Sequence, residues 1–565
     1  MEKVLVVGAG PVGLTMAIEL LRHGVPCRVI EQHQEKHTQS RATDIHARTL
    51  EVFQNMGVVD EILERSKHRS GVRIFIDGRC TLEYRYEDFG GDTPYCYDVG
   101  LLQHHTEEVL EHRLVELGGR VERGTKLAIQ TQTEDSVKAT LLYPNGQWEE
   151  VEFPWLIACD GARSAARQWL LDVPLAGSTF EEEFFLADVT FESDPFVDVI
   201  TIYTGPRGML CILPVPGDRT HRIFGELEVG SSITEMTLAT CQTLMDDRVG
   251  QHVKIESAGW NALFRVHTRM VKQYRHGRVF LVGDAAHIHS PVGGHGMNVG
   301  ILDAYNLAWK LALVCRGKAH SNLLDTYDPE RSPVARAMLE DTDTMTKNLM
   351  LRGGIAQLLL SRALPILNKL PPQRRKAIET MLDIGFNYRA SPLAEEHVGS
   401  VLKIRLRSTD QDELASFRER IDFSSGPQPG DRAPNVKMNH IGVSNLFDLM
   451  LGTQQVLFLF DGQAATSEGY TTLAAIAKTV GKSWGSLIKT YIVVPRSSRP
   501  PELGSEVDEV AQVLLDPDNA IHRRYGATKE CLYLIRPDGH VGFRSQPADK
   551  VSLVAYLEKW YRVDA

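Results

Sequence analysis

The sequence predicts a multidomain α/β protein, and three observations carry that reading. A β-branched run, Val4 to Val7, leads through a glycine turn into a helix whose apolar residues recur at helical spacing. A second strand–turn–helix unit runs from Arg278 to Val314. Between the two, from about Val72 to Val229, short strands are broken by turns such as Pro144-Asn145-Gly146 and Pro214-Val215-Pro216-Gly217-Asp218.

The first unit reads as strand, helix, strand. Pro11 to Leu21 forms the helix, Gly24 stops it, and Cys27 to Glu31 is the second strand. A right-handed crossover makes this the start of a parallel sheet. One helix, Thr106 to Leu117, interrupts the strand-rich stretch, with Val109, Leu110, Leu114 and Leu117 on its apolar face. After Val314 the chain is largely helical to Leu370-Pro371-Pro372, and another helical segment follows near Arg374 to Ile384. Residues 391–435 read as a linker ending in Ser424-Ser425-Gly426-Pro427-Gln428-Pro429-Gly430, because that Gly and Pro density continues neither a helix nor a central strand. Beyond it, strands at Val456–Phe460, Thr490–Val494, Val513–Leu515 and Leu532–Ile535 alternate with helical patterns, and Pro537-Asp538-Gly539 signals a hairpin.

Composition narrows the function classes. The 565 residues are 43% apolar and 24% charged, with 62 Lys+Arg against 73 Asp+Glu, so the chain is globular, acidic overall and free of any long basic run. No nucleic-acid partner is expected. Eight cysteines occur without a CxxC pair, so neither a zinc site nor a dithiol centre is signalled and no metal is expected. No stretch approaches the ~18 apolar residues of a membrane span, and a cytoplasmic location is the expectation.

Gly8-Ala9-Gly10-Pro11-Val12-Gly13 is a GxGxxG between a strand and a helix. Its glycines let the backbone turn tightly and approach a pyrophosphate, which free amides and the positive helix end then hold. Glu31, 18 residues past Gly13, can accept hydrogen bonds from a ribose hydroxyl, with Gln32 beside it. This Rossmann-like start takes FAD or NAD. Phe280-Leu281-Val282-Gly283-Asp284 places an acidic residue just past a strand end, and Pro291-Val292-Gly293-Gly294-His295-Gly296-Met297-Asn298 adds a second glycine-rich turn before a helix. FAD, which extends far beyond its pyrophosphate, has a use for that turn and NAD does not. Gly283 and Asp284 are then candidates for the ribityl chain. The turn from Gly294 through Gly296, Met297 and Asn298 offers amides that stabilise negative charge on the flavin ring.

These motifs, together with Cys159-Asp160-Gly161-Ala162-Arg163-Ser164, resemble the three fingerprints of the group A flavoprotein monooxygenases, the single-component FAD-dependent aromatic hydroxylases, over roughly residues 1–390. Asp303 to Lys310 and Tyr327 to Arg331 also look like family segments. The resemblance implies that Asp160 and Gly161 lie near the pyrophosphate, that Arg41 and Gln103 contact FAD, and that Pro291 lies beside the flavin ring. Read from the residues alone, Arg41 is equally a surface cation and Gln103 a polar residue at a helix start. Asp44 stands where many members carry a small residue; it is either a base toward a phenol or a cap for the helix beginning near His46, itself read as a helix-face residue.

The resemblance further implies an FAD-binding domain formed by 1–70, 98–178 and 278–390, with a β-sheet substrate domain of 71–97 and 179–277. The C-terminal residues 436–565 look like the thioredoxin-like domain of larger members, although Cys531 is its only cysteine and it cannot cycle a dithiol; a scaffold role or a homo-oligomer contact remains for it. A second GxGxxG is absent, so NADPH or NADH binds transiently. In the implied cycle it reduces FAD, O2 adds to give a flavin C4a-hydroperoxide, and a small aromatic substrate, phenolic or polycyclic, is hydroxylated. The substrate is expected against Val199–Tyr203 and Met209–Pro214, with Asp44, Tyr203 and His221 as candidate catalytic residues. Two rivals stay open: an FAD-dependent reductase or oxidase without oxygen insertion, and a non-catalytic flavoprotein that binds a phenolic ligand.

Overall fold

A computed structural model describes residues 3–36, 42–89, 92–170, 173–350, 362, 371–398, 422–440, 443–463 and 467–564. The chain forms two units, the first comprising Met1–Gly90, Tyr95–Ala308 and Arg331–Gly385, the second Gly91–Pro94, Trp309–Glu330 and Phe386–Ala565. Within the described residues no helix is long and apolar enough to cross a membrane.

The first unit holds two large sheets. One has the spatial order Arg275–His276, Val279–Leu281, Trp155–Ala158, Val4–Val7, Cys27–Glu31, Val121–Arg123. All its pairings are parallel except that of Arg275–His276. Val4 to Val7 are buried throughout, as a strand covered on both faces must be. The second sheet has eight strands in the order His287–Ile288, Ile255–Met270, Ala176–Phe191, Thr220–Glu226, Leu210–Pro214, Val199–Thr204, Gly71–Ile76, Arg79–Arg85. Two of these strands run for 16 residues, longer than the short strands the turns suggested. One face of this sheet packs Phe185, Ala187, Tyr203, Ile212 and Ile223 against Cys241, Leu244 and Met245 of the helix Leu238–Val249. A small sheet, Asp44–Ile45, Asp98–Gly100 and Lys67–Arg69, brings three distant segments together.

Helix boundaries differ from expectation where prolines and caps decide them. The helix expected from Thr106 spans Gln103–Glu116, starting without a side-chain cap. Pro371-Pro372, read as a stop, instead opens the helix Pro371–Met381, because proline lacks only a donor that the first turn does not need. The long helix Tyr327–Leu349 fulfils the helical expectation up to 349; the stretches 351–361 and 363–370 lie outside the described residues.

The second unit is a six-stranded sheet in the order Glu395–Val398, Val541–Gln546, Lys529–Ile535, Gln455–Gly462, Ile488–Val494, Gln512–Leu515. Alternation sorts the central strand: Leu457 and Leu459 pack with Leu473 and Ile476 of the helix Ser467–Trp484 and with Leu553 and Leu557 of Lys550–Trp560, while Phe458 and Phe460 join Tyr525 and Tyr533 on the other face. The linker expected at 391–435 is not one where it is described. Glu395–Val398 is a strand of this sheet, and 422–435 is tied down by Gly430 N to Val541 O (2.7 Å), Ala433 N to Gly539 O (2.9 Å) and Arg544 Nη1 to Phe423 O (2.9 Å). Glycine and proline set the turns here, and backbone bonds to neighbouring strands remove the freedom their composition suggested. Residues 399–421 lie outside the described residues. Cys531 is fully buried in a strand, and burial pushes its thiol pKa up.

A buried charge cluster anchors this unit. Glu330 accepts from Lys310 Nζ (2.7 Å), Arg536 Nη1 and Nη2 (2.7 and 2.8 Å) and Ser391 Oγ (2.6 Å), with no exposure of the Glu330, Lys310 or Arg536 side chains. Burial would raise the Glu330 carboxyl, but the Arg536 and Lys310 charges outweigh it and hold it below the usual range. Glu330→Gln removes the carboxylate between two buried cations, leaving Asp538 beside Arg536 as the remaining negative charge, and should lower unfolding free energy by about 3–5 kcal/mol, read by chemical denaturation. The wild-type advantage should be complete above the ordinary glutamate pKa and fade as pH falls through the depressed one; a variant as stable as wild type at neutral pH contradicts this.

Candidate active site

The three glycines of the first turn have different reasons to be there. Gly8 sits at φ +99°, and a Cβ on it would lie 2.4 Å from Cys159 O; a Cβ on Gly13 would lie 2.0 Å from Gly8 O. Close packing of the turn on the sheet explains both. Around Gly10, by contrast, the nearest atom to such a Cβ is Glu107 Oε1 at 4.0 Å. Nothing in the described protein fills that space, so its bareness suits a ligand's approach. No side chain caps the helix Pro11–Arg22 that follows, which leaves its first amides for an anion. Glu31 braces the turn: its carboxylate accepts from Ala9 N (3.0 Å) and His33 N (2.9 Å) at the end of its strand.

A cavity of about 380 Å³ joins this turn to the later one. Gly10, Pro11, Val12, Gln103, Gly161, Asp284, Pro291, Gly294, Gly296 and Met297 all line it, so ten of the expected cofactor residues meet at one place. Gly283, at φ +61°, packs on Val12 instead. Asp160 does not line the cavity; its Oδ2 accepts from Ala166 N (3.1 Å), and burial raises its carboxyl. Gln32 is exposed and meets only the ring of His33 (3.4 Å), so the structure gives it no place in the cavity. Arg41 lies outside the described residues. Gln103 Nε2 donates to Glu107 Oε1 (2.9 Å), and burial pushes Glu107 up to about 7. Glu107 was not singled out from the sequence; its position one helical turn after Gln103 is the only signal it gives.

The Asn298 side chain is a clasp, which leaves its backbone amide in the turn as the part expected to face the cofactor. Its Nδ2 donates to Asp44 O and Gly294 O (both 2.9 Å) and its Oδ1 accepts from His46 N (3.1 Å), which uses the whole buried amide. Asp44 does not cap the next helix, since its side chain turns to Arg69 Nη1 and Thr43 Oγ1. Burial raises Asp44, but the Arg69 charge prevails and keeps it below its ordinary value.

A second cavity of about 570 Å³ shares Thr43, Asp44, Pro291 and Gly294 with the first. Val72, Leu186, Ile200, Ile202, Leu213 and Phe224 make its apolar wall. Tyr203 and His221, expected as catalytic residues, belong to the sheet's other face. Tyr203 stacks on Phe75 at 4.7 Å; His221 packs on Phe191 and Phe196, with Nε2 3.4 Å from Asp194. Strand periodicity gives the reason, because their neighbours Ile202 and Arg222 face the cavity and successive side chains alternate.

At the cavity's polar end, His46 and His295 line the wall and meet Asp383, which no local motif marked. Asp383 Oδ2 bonds His46 Nδ1 (2.6 Å) and its Oδ1 bonds His295 Nδ1 (2.8 Å), with all three side chains buried. These atoms are close enough to share an ion, yet both contacts are shorter than the ~3.3 Å that separates ligands around a tetrahedral metal at ~2.0 Å, so they are direct hydrogen bonds. Asp383 follows the helix Pro371–Met381 at φ +57°, with Asp383 N bonded to Thr380 O (3.2 Å) and Ile384 N to Glu379 O (3.1 Å). That is the helix-ending position where glycine is ordinary. Burial would raise the Asp383 carboxyl, but the two imidazoles hold it well below its usual range, and in return Asp383 outweighs burial to raise His46. Beside them Tyr86 Oη donates to Asp98 Oδ2 (3.1 Å), and burial pushes Asp98 up to about 6.

Comparison with known proteins agrees with this geometry. The FAD binding domain family matches residues 1–342. The chain is 31% identical to 6-methylpretetramide 4-monooxygenase of Streptomyces rimosus, covering 98% of this chain and 93% of that one. It is also 31% identical to pentachlorophenol 4-monooxygenase of Sphingobium chlorophenolicum, covering 93% and 94%. Among solved structures, the OxyS anhydrotetracycline hydroxylase from Streptomyces rimosus superposes with a TM-score of 0.71 at 25% identity over 99% of both chains. The chain therefore belongs to the family of FAD-dependent aromatic monooxygenases.

Proposed function

We propose that this chain hydroxylates a phenolic aromatic compound of several fused rings, with FAD in the 380 Å³ cavity and the substrate in the 570 Å³ cavity beside it. The observation that carries this reading is the shared wall at Thr43, Asp44, Pro291 and Gly294, which sets the two cavities side by side. A cavity of ~150 Å³ accepts a single benzene ring; this one is nearly four times larger and mostly apolar, which favours the polycyclic class over a simple phenol.

FAD, when bound, supplies the electrons that activate O2, and NADPH or NADH is the proposed reductant. The residues do the rest. Gly10 and the uncapped helix start receive the pyrophosphate, Asp284 addresses the ribityl hydroxyls, and the apolar wall excludes water from the reacting ring. His46 and His295 give their Nδ1 protons to Asp383, which fixes Nε2 of each as the nitrogen left to accept a substrate hydroxyl proton. Asp383 orients both rings and balances the charge that a captured proton brings. Among the described residues the eight cysteines form no disulfide, which supports the proposed cytoplasmic location. For residues 436–565 we keep a thioredoxin-like scaffold without redox chemistry.

Incubation with a panel of hydroxylated polycyclic aromatics, NADPH and 18O2 should yield a product carrying one labelled oxygen; NADPH oxidation with unlabelled product rejects the hydroxylase reading. Gly10→Ala should fold with an unchanged melting temperature of the FAD-free protein, yet purify with little FAD, because its Cβ has room until the cofactor arrives. Gly13→Ala should lose both stability and cofactor. Equal FAD content in Gly10→Ala and wild type would remove the pyrophosphate from that turn. Asp383→Asn should lower kcat/KM for hydroxylation by about 10²-fold. It should also move the acid limb of the pH profile downward, because His46 then loses the carboxylate that raises it and keeps the burial that lowers it. An unmoved limb contradicts the assignment.

A further inference from the structure

A second chain of titratable groups ends at the cofactor cavity rather than the substrate cavity. Arg331 Nε donates to Asp303 Oδ1 (2.6 Å), Asp303 Oδ2 bonds His287 Nε2 (2.7 Å), and His287 Nδ1 bonds His289 Nε2 (2.8 Å). The Arg331, Asp303 and His287 side chains are wholly buried, and the two imidazoles stack at 4.8 Å. His289 lines the 380 Å³ cavity, and its Nδ1 is a buried nitrogen with no partner among the described residues. A polar atom left unmatched at the mouth of a ligand site is one the ligand is there to satisfy.

We infer that Arg331, Asp303, His287 and His289 form a proton relay that presents one imidazole nitrogen, His289 Nδ1, to the bound cofactor. The reading rests on FAD occupying that cavity. Asp303 sets the direction. Held ionised by Arg331 and by a hydrogen bond from Gly283 N (3.2 Å), it takes the Nε2 proton of a neutral His287. His287 Nδ1 is then an acceptor, His289 donates to it from Nε2, and His289 Nδ1 is left with an unused lone pair on a side chain that lines the cavity. A proton arriving there bonds to His289 Nδ1 as the His289 Nε2 proton passes to His287 Nδ1. One proton has crossed, His289 is neutral again and now donates from Nδ1, and His287 is an imidazolium paired with Asp303. No electron moves within the relay, and the reverse transfer returns the proton. Burial and the neighbouring imidazoles of His287 and His295 disfavour charge on His289 itself, outweighing the carboxylates of Asp303 and Asp383. The negative charge that reduction places on a flavin favours this uptake.

The test is a spectroelectrochemical titration of the FAD-loaded full chain across neutral pH, where the pH slope of the two-electron midpoint potential counts protons taken up. His289→Asn should take up about one proton fewer per two electrons than wild type. His287→Asn, which leaves the cavity wall intact, should show the same loss, an effect that a merely structural role for His287 does not produce. Equal proton counts in wild type and in either FAD-loaded variant overturn the relay; if one variant purifies without FAD, the other decides by the same criterion. A wild-type chain that binds no FAD would instead remove the flavoprotein reading, so the two failures are distinct.

Discussion

The Asn298 amide holds the strand at Asp44 and the loop at Gly294 to one fixed separation, donating to a carbonyl on each and accepting from His46 N. Both cavities borrow that pair of segments as a wall. Two of the three bonds join residues more than 250 positions apart in sequence, and Asp383 bridges His46 and His295 across the same gap. In a buried setting each such bond is costly to leave unmade, so the clasp is both geometry and stability. Its neighbour Gly294 completes the fit: a Cβ there would lie 2.1 Å from an Asp44 carboxylate oxygen, so the loop can approach the strand only as glycine.

What the sequence made legible followed from local rules. A glycine turn between a strand and a helix, an acidic residue at the next strand end, and a second glycine-rich turn are all defined by neighbours within a few residues. They led to seven of the ten cofactor-cavity residues that the fold gathers, and the family resemblance supplied Gln103, Gly161 and Pro291. The substrate cavity was harder, for two reasons. Asp383 reaches His46 across 337 residues, and nothing in the segment around it announces a partner. The eight-stranded sheet is apolar on both faces, one a packed core and the other a cavity wall. Hydrophobic alternation therefore could not say which side of Tyr203 or His221 was which. The region around 391–435 shows the converse error, where composition suggested slack and hydrogen bonding to adjacent strands supplied order.

Two buried aspartates each hold histidines, with different company. Asp303 has a permanent cation, Arg331, at 2.6 Å, so its charge is cancelled whatever its imidazole does. Asp383 is paired only with imidazoles, and its charge is cancelled when one of them gains a proton. The first arrangement orients its imidazole without leaving a buried charge unbalanced. The second, in the proposed function, leaves a carboxylate that offsets the charge of one captured proton.

The backbone at residue 383 carries the mark of that choice. Its left-handed conformation ends a helix where glycine would rest without strain, and an L-residue there sits in a less favourable well. Selection for endurance alone would have emptied this position of its side chain. Under the proposed function, reactivity and robustness thus pull in opposite directions at a single Cα.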